Sequence, residues 1–127
     1  MEEYMATKKR RQKVSNADLA RIARAAVAAM GSDASFTRSG LSFEASGKPA
    51  KVLSPEAVRC DALGWILKSA HSFIGARHFY AASELINAQI VFTTGRSLVS
   101  INDEDGREAV VAALENAARH FEECSHG

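Results

Sequence analysis

The sequence contains few cysteines, few prolines and no long apolar run, and each shortage excludes a class of protein. The two cysteines among 127 residues, Cys60 and Cys124, form no CxxC unit, so a disulfide-stapled miniprotein is excluded and reduced thiols are expected. No stretch approaches the roughly 20 consecutive apolar residues that a membrane-spanning helix requires. The N-terminal region also lacks the apolar core of a signal peptide. The sequence therefore predicts a cytoplasmic protein that does not associate with membranes.

Alanine is abundant and proline is rare, and this composition favours helices. The chain contains 23 alanines and two prolines, and alanine has the highest intrinsic helix propensity. With 46% apolar and 24% charged residues, the composition is that of a globular protein rather than a disordered chain or a coiled coil. The length suits a single domain, since folding units cluster near roughly 100–150 residues. We predict a flexible basic arm over residues 1–14 and one helical domain over residues 15–127.

The net charge of +1 conceals blocks of opposite sign. Residues 1–13 carry five Lys or Arg against two Asp or Glu, residues 14–101 nine against six, and residues 102–127 two against seven. The arm could therefore neutralise several phosphates of a nucleic acid, although it lacks the aromatic residues that stack on bases. An acidic protein, or the acidic last helix of this chain, would suit the arm equally well. The candidate nucleic-acid-binding residues are Lys8, Lys9, Arg10, Arg11 and Lys13.

The first two helices are predicted from the residues that would cap them. The first covers about residues 16–30, where Ser15 is the N-cap and Asp18 completes an approximate capping box. The second begins after Ser54, with Pro55 at the first helical position. Its apolar arc of roughly 180° indicates a central helix that packs on both sides. Its narrow polar face carries Cys60, Asp61, Gly64, Lys68 and His71.

Two more helices follow, separated by an ambiguous segment. The third covers about residues 76–90, and residues 91–101 contain either a short strand or one helical turn. The last helix is expected to begin at Asp105 as the cap, with Glu108 completing a capping box.

Between the first two helices, the spacing of apolar residues changes to two. Phe36 to Arg38 and Leu41 to Phe43 flank Ser39-Gly40, a plausible two-residue hairpin turn. The predicted fold class is therefore mainly α, a compact four-helix domain with a small β-hairpin between helices 1 and 2. Residues expected in its core include Val58, Leu63, Ile66, Leu114 and Phe121.

Motifs for bound metals are incomplete. If Gly106 took the sixth position of an EF-hand loop, Ile101 and Ala112 would stand where carboxylates are required. His120 and Cys124 are four residues apart and could share a helix face, but a structural zinc site needs about four ligands. We therefore predict no metal site and no cofactor.

Two segments resemble an uncharacterised family of small bacterial and phage domains of unknown function. The first is residues 59–67, with a helical Ala-Leu-Gly sequence, and the second is residues 101–107, an Asn-Asp…Gly-Arg turn before the last helix. The resemblance covers roughly residues 40–122. Asp61 and Trp65 stand where the family pattern has Cys and a small Ala. The resemblance implies a helical fold and a bacterial or phage origin, and it assigns no activity.

The preferred function is that of a non-enzymatic interaction or accessory protein that binds another protein. It would use an apolar patch around Trp65 or the acidic last helix, and a homodimer is compatible with the sequence. A nucleic-acid-binding accessory protein is the alternative, and a small enzyme comes third. The candidate partner-binding residues are Asp61, Trp65, Lys68, His71, Asn102 and Asp103.

Overall fold

A computed structural model describes residues 14–38 and 40–126, which form a mainly helical fold with one small antiparallel sheet. The helices over these residues are α1 (Asn16–Ala29), α2 (Ala62–Ile74), α3 (Phe79–Thr94), α4 (Leu98–Asp105) and α5 (Arg107–His126). The strands β1 (Ser42–Phe43) and β2 (Arg59–Cys60) lie between α1 and α2 and pair with Ser42 opposite Cys60. The predicted fold class is confirmed, and α4 is a short helix that the sequence analysis had left open.

The core forms where α1 packs against α5 and α2. The start of α1 is as predicted, because the Ser15 hydroxyl accepts from the Asp18 amide and the Asp18 carboxylate accepts from the Ser15 amide. Of the five residues expected in the core, Ile66, Leu114 and Phe121 are buried and Leu63 is half-buried. No helix over the described residues is both long and apolar enough to cross a membrane.

The prediction that the second helix begins after Ser54 is wrong. Ser54 accepts hydrogen bonds from the following residues within a single turn, and α2 begins only at Ala62, with Asp61 as its N-cap. The chain between them is extended because the Val58 amide donates to the Phe43 carbonyl and residues 59–60 form β2. Val58 therefore lies outside the core, with 46% of its surface exposed.

The hairpin has different strands from those expected. Residues 41–43 do not pair with residues 36–38; β1 pairs with β2 instead, and Phe36 forms a parallel bridge to Cys60 on the other side. Cys60, which is fully buried, thus pairs with Ser42 of β1 on one side and with Phe36 on the other. Of the proposed turn, Ser39 lies outside the described residues.

The ambiguous segment contains the end of α3 and the start of α4. Gly95 ends α3 in the left-handed conformation (φ 76°), and the Ser97 side chain caps α4 by accepting from the Ser100 amide. The prediction that Asp105 caps the last helix is wrong, because Asp105 is the last residue of α4 and forms an ion pair with Arg96. The run of acidic residues before Gly106 therefore belongs to a separate helix.

Candidate functional site

The polar side of α2 attaches the preceding chain to the helix. The Trp65 indole Nε1 donates to the Ser35 carbonyl oxygen at 2.7 Å, and Lys68 Nζ donates to the Ser54 carbonyl oxygen at 2.8 Å. Trp65 is half-buried and packs against the core. The apolar patch expected around Trp65 is therefore occupied by the chain itself, and a partner-binding role for these two residues stays a prediction that their contacts do not favour.

Asn102 joins three segments at the N-terminal end of α2. Its side chain is 1% exposed. Its Oδ1 accepts from the Ala62 amide at 2.8 Å, while Nδ2 lies 3.2 and 3.3 Å from the carbonyl oxygens of Thr37 and Arg38. Buried amide side chains with all their hydrogen bonds made fix the elements that they join. Asn102 and Asp103 are both candidate partner-binding residues by sequence; Asn102 thus has a structural role, and Asp103 beside it is exposed.

Asp61 is a buried carboxylate beside this junction. Its Oδ1 accepts from the Gly64 amide at 2.8 Å. The pKa of Asp61 is raised to about 6, mainly by burial; the hydrogen bond from Gly64 opposes this shift and the negative charge of Asp103 adds to it. Position 64 must be glycine, because a Cβ there would lie 2.8 Å from the carbonyl oxygen of Leu41.

The raised pKa of Asp61 makes the stability of the fold depend on pH. Between roughly pH 4 and pH 6 the folded protein keeps a proton on this carboxyl that the unfolded chain releases, so ionisation lowers the free energy of unfolding as pH rises. Asp61→Asn keeps an oxygen for the Gly64 amide and has no charge. We expect the variant to gain stability relative to wild type from pH 4 to pH 7, by about 1–2 kcal/mol after solvent screening.

Urea unfolding of both proteins at each pH measures this difference. Asp103→Asn is the matched control, because it removes the neighbouring charge and keeps a side-chain oxygen that can accept from Asn102 Nδ2; it should give a smaller change in the same direction. A difference between Asp61→Asn and wild type that stays constant from pH 4 to pH 7 would show that Asp61 ionises normally in the folded protein.

Cys60, Lys68 and His71, which the sequence predicts on one polar face, make separate contacts and do not form a shared catalytic site. Burial raises the pKa of the Cys60 thiol to about 11, so it stays protonated and is a poor nucleophile. Lys68 is bound to the Ser54 carbonyl, and the His71 ring packs edge-on against Phe79 at 5.4 Å. Among the described residues, no three His, Cys, Asp or Glu side chains are grouped as metal ligands.

A different surface, on α3, has the character of a binding site. One side of this helix packs in the core through residues that include Phe79, Ile86 and Ile90. The other side, which we call the outward face of α3, is exposed and apolar. It consists of Tyr80, Ala81, Leu85, Ala88, Val91 and Phe92, and it also includes the exposed Glu84.

The outward face departs from the usual composition of a helix surface. Phe92 is 85% exposed and Tyr80 is 63% exposed. Within α3, Glu84 is the only charged residue. Helices on the surface of a soluble protein normally present charged and polar residues to water, and large contiguous apolar patches mark interaction sites. Within the part of the chain that the structure describes, α3 therefore carries the strongest candidate for a docking surface.

An apolar cleft of about 260 Å³ continues from the outward face between α2, α3 and α4. Leu63, Leu67 and Leu98 line its floor, and Tyr80 and Val99 stand at its edge. Val99 is itself exposed on α4, so the apolar surface reaches beyond α3.

The outward face of α3 has a signal in the sequence, although none of its residues was predicted as a site. Ala81, Leu85, Ala88 and Phe92 are spaced by four, three and four residues, as along the contact line of a helix pair. Phe79, Ala82, Ile86 and Ile90 form a second stripe on the opposite side of α3, and this second stripe is the one that lies in the core. The five basic residues of the arm lie outside the described residues.

No protein-family model matches the chain, and no curated protein or solved structure is significantly similar to it. The resemblance to small bacterial and phage domains stays a prediction. The function must therefore be argued from the surface of the molecule itself.

Proposed function

We propose that this chain is a non-enzymatic interaction protein whose outward face of α3 binds the apolar face of a helix from another polypeptide. The observation that carries the proposal is the exposure of Tyr80, Leu85, Val91 and Phe92 along one helix. Leaving such side chains in water forgoes about 25 cal/mol for each Å² of apolar surface that a partner would cover.

The shape of the surface supports a helical partner. The outward face of α3 is a straight stripe, and the cleft beside it ends at Val99 of α4. A helix laid along such a stripe inserts side chains at intervals of three and four residues, which is how apolar helices are commonly recognised. The resemblance noted above adds the proposal that the protein is an accessory factor of bacterial or phage origin.

The experiment uses the full chain with an affinity tag, produced together with an untagged copy in its native host. Polypeptides that co-purify are compared between wild type and Phe92→Glu, which replaces the most exposed apolar side chain of this face with a charged one. Val58→Glu is the matched control, because Val58 is also an exposed apolar residue but lies near β2. Circular dichroism of both variants verifies that they are folded.

We expect at least one polypeptide, whether a different protein or the untagged copy, to be retained by wild type and Val58→Glu. Its recovery with Phe92→Glu should fall by about tenfold or more, since a few large, well-packed side chains dominate the affinity of an interface. Retention of every co-purifying polypeptide by Phe92→Glu would overturn the proposal.

A further inference from the structure

We propose that the helix bound by the outward face of α3 is the α3 of a second copy of this chain, packed antiparallel about a two-fold axis. This inference rests on the proposed function and names the partner for that same surface. In a two-fold interface, the same patch is used by both copies, so the patch must complement itself.

The alternation of small and large residues provides this self-complementarity. An antiparallel pair centred between residues 86 and 87 places Phe92 in one layer with Ala81 of the partner subunit, and Leu85 in one layer with Ala88 of the partner subunit. Each large side chain then fills the space beside a small one. A parallel pair would instead stack Phe92 on its own copy and leave layers that contain only alanine.

The charges at the ends of α3 favour the same arrangement. An antiparallel pair brings the N-terminal end of one α3 beside the C-terminal end of the other. The exposed Arg77 then approaches a cluster in which Arg96 is paired with Glu104 and Asp105, with a formal charge of −1. A parallel pair would place Arg77 beside its own copy, and the helix dipoles would be aligned unfavourably.

The exposed apolar area is of the size that a dimer needs. An aromatic side chain offers about 150–250 Å², and Phe92 and Tyr80 keep most of theirs in water. Together with Leu85, Val91 and Val99, they present on the order of 500 Å² per copy. A stable interface takes about 800 Å² from each partner, of which little more than half is apolar. Glu84 lies one turn from both Tyr80 and Ala88 within the exposed face, and the antiparallel pair places it in one layer with the polar Gln89 of the partner subunit.

Light scattering on the purified, untagged chain tests the dimer. At about 0.1 mM, well above the micromolar dissociation constants of modest interfaces, we expect twice the chain mass of 13.7 kDa. Phe92→Glu should raise the dissociation constant by about 100-fold or more, while Val58→Glu should leave it unchanged. A monomeric wild type overturns the inference, and so does a dimer that Phe92→Glu does not weaken.

The orientation is tested by a spin label at Ala76→Cys in a Cys124→Ser background, where the buried Cys60 stays unlabelled. Ala76 is exposed and precedes α3. With a rise of 1.5 Å per residue, antiparallel packing separates the two labels by about 30 Å, whereas parallel packing brings them within about 10–15 Å. The shorter distance overturns the antiparallel arrangement.

Failure of this inference is distinguishable from failure of the proposed function. If the purified chain is monomeric but retains a different protein through Phe92, the proposed function stands and the second copy is not the partner. If the chain is monomeric and retains no polypeptide through Phe92, both the proposed function and the dimer are wrong.

Discussion

Truncation of Phe121 to alanine is expected to lower the free energy of unfolding by about 3–5 kcal/mol, the range for emptying a buried aromatic site. Phe121 is buried on α5, the helix that packs along α1 and forms the core with it. Phe121 belongs to one core cluster to which all five helices contribute, so the cavity cannot close without moving a whole element. Urea unfolding followed by circular dichroism measures the change.

Glu123→Ala is the control for Phe121→Ala. Glu123 lies two residues further along α5 and is exposed, so its truncation should change the free energy of unfolding by less than about 0.5 kcal/mol. If Phe121→Ala were as stable as Glu123→Ala, the end of α5 would not be part of the cooperative core.

The elements that were predicted well are those whose signals are local. Ser15 and Asp18 cap α1 through bonds across three residues, and no distant part of the chain competes with them. The same is true of the stripe that buries Leu114 and Phe121 on α5. Local capping of α1 and the helical spacing of apolar residues on α5 therefore sufficed to predict the two helices that form the most extensive contact of the core.

The elements that were predicted wrongly are decided by distant residues. Ser54 and Pro55 carry the signal of a helix start, and their local bonds are indeed made, but within one turn. Pairing of residues 59–60 with residues 42–43 holds the chain extended, so α2 can begin only at Ala62. No pattern within residues 54–61 indicates that strand pairing, rather than a helix, forms there.

The candidate site also combines a local signal with contacts between distant residues that the sequence does not reveal. The spacing of Ala81, Leu85, Ala88 and Phe92 is visible in the sequence, but whether that stripe or its opposite lies in the core depends on how α3 packs against α2. Trp65 presents the converse case: the sequence predicts an exposed apolar patch around it, but its indole donates to the carbonyl oxygen of Ser35, thirty residues away.

Replacement of Asn102 by alanine is the second change expected to destabilise the fold strongly. It would leave the Ala62 amide and the carbonyl oxygens of Thr37 and Arg38 without the partner that they have in the folded protein. A buried polar group without a partner costs about 1–3 kcal/mol. Since water can reach part of the space through the exposed side of Arg38, we expect a total loss of about 3 kcal/mol.

Hydrogen exchange tests where that loss arises. The Ala62 amide is the first helical N–H of α2, and Asn102 Oδ1 accepts its hydrogen bond; its exchange should therefore accelerate more in Asn102→Ala than that of the buried Ile22 in α1. Asp103→Ala is the control, because it removes only the carboxylate that accepts from Asn102 Nδ2 at 3.2 Å and keeps the bonds of Asn102 to Ala62, Thr37 and Arg38. An equal acceleration at Ala62 and Ile22 would mean that Asn102 stabilises the fold as a whole and does not specifically hold the start of α2.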